Sequence, residues 1–226
     1  MMFAALVPTD PGGGSDGDSE SRRRGSIGAL GMVLLLASLS VLFASGIALF
    51  IVVRLADGDA WDPLPLPKSI WIATGVLLAS STTGMAAAFG AKRGPSAVLI
   101  GGLLLTALLG CVFLALQWQN WQELYPHFQK AEERAMERAR ALAVEMNLEP
   151  PLRAIPRAFG IFYMLTALHA AHVIAGVVPL LWVTVRAMLG AYRGTTGDGV
   201  RRVIVYWHFL DVMWLILLGL LAISAT

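Results

Sequence analysis

The chain has 226 residues, of which 57% are hydrophobic and 14% charged. That balance excludes an ordinary soluble domain and fits a membrane bundle. A net charge of +2, with no basic patch interleaved with aromatic residues, gives no support to nucleic-acid binding, and a lone cysteine, Cys111, excludes an intrachain disulfide and any CxxC motif.

Five apolar runs, at 27–53, 70–89, 97–116, 159–184 and 203–223, each meet the roughly 20 residues a helix needs to cross a bilayer. Alternation at period two is absent, which speaks against a β-barrel. The expected fold class is therefore all-α integral membrane, a bundle of five transmembrane helices. Basic residues orient it: Arg22, Arg23 and Arg24 precede the first run, Lys92 and Arg93 lie between the second and third, and Arg186, Arg193, Arg201 and Arg202 flank the last loop. The positive-inside rule places the N-terminus in the cytoplasm and the C-terminus outside.

Residues 1–26, rich in Gly, Ser and Asp, have too little apolar surface to fold and are expected to be disordered. The first helix follows directly, so no cleaved signal is expected. Within it Ser40, Ala44 and Ala48 recur every four residues and offer a smooth face to another helix. The connector Pro63, Leu64, Pro65, Leu66, Pro67 reads as stiff and extended. The second helix carries Ser80, Ser81, Thr82 and Thr83 at mid-membrane, hydroxyls that suit packing between helices. In the third, Gly102, Thr106 and Gly110 repeat every four positions, and Cys111 beside them reads as a small packing residue. Residues 123–157 form an amphipathic helical insertion, with Phe128, Ala131, Ala135, Ala139, Leu142 and Met146 on one stripe. Pro126 suits its first turn and Pro150 with Pro151 its stop. The stripe is expected to dock on a partner or on the membrane surface.

The fourth helix places Thr166, His169 and His172 at spacings of three, and the fifth contains Tyr206, Trp207, His208, Phe209, Leu210, Asp211, Val212, Met213 and Trp214. His169 with His172, and His208 with Asp211, share helical faces. Ionisable groups inside a membrane helix are costly and usually face protein or water. Residue types alone leave three readings of a cluster formed by these four: a hydrogen-bonded packing network, a cofactor or metal site, or a proton relay.

The order Tyr-Trp-His-Phe-x-Asp-Val-x-Trp closely resembles the closing helix of subunit III of the haem-copper oxidases. The segment from Phe162 to Gly176 resembles the same family's Phe-x-x-Thr-Gly-x-His-Gly-x-His-Val-x-x-Gly pattern. Thr166, His169, His172, Val173 and Gly176 match it, and Ala167 and Ala170 replace glycines. Leu36, Ala37, Ser38 and Phe43 resemble the family's Leu-Ala-Ser-Glu-x-Met-Phe-Phe, and Phe113, Gln117 and Trp121 resemble the end of its third helix. Two departures stand out: Leu39 and Asn120 occupy positions where the family has glutamate.

The resemblance spans nearly all of 30–223 and implies a five-helix subunit III. It implies a non-catalytic accessory subunit of a terminal oxidase that reduces oxygen and pumps protons. Cofactors are expected to be absent from this chain, with haem and copper in partner subunits. Subunit I, with subunit II, is the implied partner, alongside membrane phospholipid in a bacterial cytoplasmic membrane. Residues implied to form its polar network or lipid contacts are Ser38, Gln117, Thr166, His169, His172, Tyr206, Trp207, His208, Asp211 and Trp214. The alternatives are a subunit III-like protein of nitric oxide reductase, and an independent haem- or metal-binding membrane protein using His169, His172 and His208.

Overall fold

The computed structural model describes residues 15–57, 65–91, 96–149, 151, 152, 154, 156–190 and 198–224, with side chains from position 26 onward in the first segment. Five helices account for nearly all of them: α1 (Ser15–Asp57), α2 (Ser69–Ala91), α3 (Ala97–Glu145), α4 (Arg157–Met188) and α5 (Asp198–Ser224). Each contains a stretch long and apolar enough to cross a membrane. The membrane bundle of five helices expected from hydropathy is the observed architecture.

Helix bounds differ from expectation in two places. α1 begins at Ser15, inside the stretch expected to be disordered; residues 1–14 lie outside the described residues. Acidic residues precede the arginines there, the charge order a helix dipole favours. The third membrane helix and the amphipathic insertion are one helix, α3, of 49 residues, with Pro126 in its interior rather than its first turn. One missing N–H at Pro126 removes a single backbone bond, and the helical preference on either side carries the chain through. α3 opens on Ser96, whose hydroxyl accepts from Leu99 N at 3.2 Å. It closes before the prolines: Asn147 takes a left-handed conformation (φ 53°), and Leu148 N donates to Ala143 O at 2.8 Å. That is a Schellman ending, which asparagine tolerates better than most residues. Pro63, Leu64, Lys92, Arg93, Pro150 and Arg193 lie outside the described residues, as do the side chains of Arg22, Arg23 and Arg24.

α2 and α3 form a close hairpin. A methyl group on Gly102 would sit 2.9 Å from Ala87 Cβ and 3.0 Å from Thr83 O, so only glycine permits this approach. The hydroxyls of Thr83 and Thr106 meet across the hairpin at 2.8 Å. α4 packs on α3, and α5 lies against α1, α2 and α4. Ser40, Ala44 and Ala48, the small-residue face of α1, are exposed with respect to the described residues.

The interior divides into two apolar clusters. One surrounds Trp207 and Trp214 with Ile70, Leu77, Leu99, Leu103, Phe113 and Leu180. The other joins Phe43 and Phe50 of α1, Leu124 and Ala131 of α3, Phe159 and Phe162 of α4, and Leu217 and Leu221 of α5. In that second cluster Phe128 packs edge-on against Phe159 and Tyr163, with centroids 6.1 and 6.0 Å away. The amphipathic stripe of α3 therefore docks on α4 at its start, whereas Leu142 and Met146 near its end are exposed.

Candidate functional site

The polar residues of α5 address α2 as an antiparallel ladder. Trp207 Nε1 donates to Ser80 Oγ at 2.9 Å, and Trp214 Nε1 donates to Thr74 Oγ1 at 2.9 Å. Each accepting hydroxyl also donates to a carbonyl of its own helix, Ser80 to Leu77 O and Thr74 to Ile70 O. A hydroxyl that donates along its helix and accepts from a neighbour is fully used. Next to Ser80 on α2, Ser81 Oγ donates to Asp211 and lies 2.9 Å from His208 Nδ1, both of which stand between Trp207 and Trp214 on α5. His208 Nδ1 and Asp211 Oδ2 are 3.6 Å apart, and their side chains are 34% and 6% exposed. Asp211 therefore sits inside and His208 at the edge.

The four residues expected to gather between α4 and α5 are divided. His208 and Asp211 join Ser81 of α2, while His169 and His172 stay together on α4, their rings 6.3 and 5.5 Å from that of Phe43 on α1. His169 is wholly enclosed by rings: Phe113 edge-on at 5.8 Å, Trp214 at 5.1 Å and Phe43 at 6.3 Å. Neither of its nitrogens has a hydrogen-bond partner among the described residues. His172 Nδ1 is 2.7 Å from Leu168 O, on its own helix, and Tyr206 OH donates to His172 O at 3.1 Å. Three positions on a helix are about 60° short of a full turn. That angle is enough to bury one histidine fully and leave the other partly exposed.

Two glycines seat the aromatic residues of α5. A methyl group on Gly110 of α3 would lie 2.7 Å from the Trp207 ring, and one on Gly176 of α4 would lie 2.8 Å from the Tyr206 ring. Gly110 thus serves α5, while Gly102 and Thr106 of the same spacing serve α2.

Toward the far end of the bundle, Trp121 Nε1 donates to Thr166 Oγ1 at 3.1 Å and Tyr163 OH donates to Trp121 O at 3.1 Å, locking α3 to α4. Asn120 is buried and its Oδ1 accepts from Ser69 Oγ at 2.6 Å, a hydroxyl also 3.1 Å from Glu123 Oε2. Gln117 is buried with both amide atoms unpartnered among the described residues. Leu39 packs into the cluster around Trp207 and Trp214. Ser38 is exposed and donates to Leu34 O at 2.9 Å.

Sequence reading did not single out Thr74, Ser69, Tyr163 or the pairing of Ser81 with the His208–Asp211 step. A signal existed for one of them. Thr74 stands seven residues before Ser81, two helical turns along the same face.

This arrangement ties helices together by side-chain bonds. Among the described residues no three of His, Cys, Asp or Glu come together to hold a metal ion.

Comparisons with known proteins identify the family. The family model for cytochrome c oxidase subunit III matches residues 154–223, the stretch containing α4 and α5. Cytochrome c oxidase subunit 3 of Bacillus subtilis (strain 168) is 31% identical over 193 residues, 82% of this chain and 80% of that protein. The probable cytochrome c oxidase subunit 3 of Mycobacterium tuberculosis (strain ATCC 25618 / H37Rv) is 27% identical over 202 residues, 87% of this chain and 88% of that protein. That of Nocardia farcinica (strain IFM 10152) is 25% identical over 199 residues, 86% and 87% of the two chains. With the five apolar helices and the motifs of α4 and α5, these similarities establish that the chain belongs to the cytochrome c oxidase subunit III family of integral membrane proteins.

Proposed function

We propose that this chain is the accessory, non-catalytic subunit III of a haem-copper terminal oxidase in a bacterial cytoplasmic membrane, with its N-terminus inside. Its partners on this reading are subunit I, which with subunit II carries the haem and copper. The complex reduces oxygen to water with cytochrome c or a quinol as donor and pumps protons. The observation that carries the reading is how the family-matched segment spends its polar groups. Trp207, Trp214, Tyr206 and Thr166 each tie one helix to another, so the motif acts as scaffold rather than as a reaction centre.

The scaffold's tasks follow from that. It stabilises subunit I, and it holds phospholipid. A groove of about 360 Å³ between the last turns of α1 and α5 is lined by Phe50, Ile51, Leu55, Leu220 and Ile223, with Arg54 as its cation, which suits acyl chains under a phosphate. Its support of proton uptake is indirect. Leu39 is packed in the core and Asn120 is held by Ser69, so neither position offers a carboxylate, and the subunit acts by keeping its partner's entry region in shape.

The test is purification of the tagged chain in mild detergent, with an optical spectrum and identification of the proteins that accompany it. Haem absorbance together with a large catalytic subunit is expected, and that subunit's identity separates oxygen reduction from nitric oxide reduction. Haem retained by the chain alone, and lost in His169→Ala or His172→Ala, would overturn the reading in favour of an independent cytochrome.

A further inference from the structure

We draw no further inference here: the strongest candidate, the patch of exposed apolar side chains Leu142, Val144, Met146 and Leu148 at the end of α3, carries none because nothing in the structure shows what covers it.

Discussion

The indole of Trp214 hangs on the hydroxyl of Thr74, 2.9 Å away and 140 positions earlier in the chain. That bond ties the middle of α5 to the first turns of α2 and leaves neither group unsatisfied. Thr74→Val keeps the shape of the side chain but strands a buried N–H. It should lower stability by about 1–3 kcal/mol, whereas Thr74→Ser should cost less than about 1 kcal/mol. Thermal unfolding of the purified protein in one detergent checks the order, and equal melting temperatures would remove the bond from any account of stability.

Gly110→Ala and Gly176→Ala each push a methyl group into an aromatic ring of α5, at 2.7 and 2.8 Å. Overpacking of that kind should cost about 1–3 kcal/mol apiece. At Gly75 and Gly101 an added methyl group would meet nothing within 4 Å, and alanine there should be neutral or stabilise by up to about 1 kcal/mol through helix preference. The contrast between the two pairs, read from yield and melting temperature, is the prediction.

Ser81→Ala removes the hydroxyl that serves both Asp211 and His208. A loss of about 1–3 kcal/mol is expected. Ser38→Ala, which removes only a bond to the carbonyl four residues back on an exposed face, should fall within about 0.5 kcal/mol of the wild type. Similar melting temperatures for the two variants would show that the Ser81 step is dispensable.

Gln117 buries an amide whose oxygen and nitrogen find no partner among the described residues. Gln117→Met replaces it with an apolar side chain of similar length. The variant should be as stable as the wild type, or more stable by about 1–3 kcal/mol, because a stranded amide is removed. A clear loss of melting temperature would mean that the amide is served in the membrane by a group from outside this chain.

The five membrane crossings were legible because length and apolarity decide them, and nothing in tertiary packing overrides a 20-residue apolar run. Turn chemistry was harder to read. Pro126 looked like a helix start, yet one missing N–H did not outweigh the helical stretches on both sides. Asn147 ended α3 ahead of the two prolines that seemed the stronger stop. For the site, the spacing of His208 and Asp211 correctly put them on one face of α5. Spacing cannot say which neighbour that face meets, and the neighbour proved to be Ser81 of α2 rather than the histidines of α4. His169 shows the same limit. Its place three residues from His172 says nothing of Phe43, Phe113 and Trp214, which arrive from three other helices.

The unbroken run of α3 has a mechanical consequence. Its membrane half is clamped by Thr106 and Gly110, and its outer half runs on past Ala131, about 20 Å beyond the level where α4 begins. Because the helix is continuous, the bearing of its outer side chains is fixed jointly by Thr106 and Gly110 in the membrane half and by the seating of Phe128 and Ala131 against α4. One residue inserted between Gln117 and Leu124 would shift the register by about 100°, setting the seat of Leu124, Phe128 and Ala131 on α4 against the clamp at Thr106 and Gly110, so that only one of the two contacts could be kept. Whatever meets the exposed Leu142 and Val144 therefore reads an angle set by both seats at once.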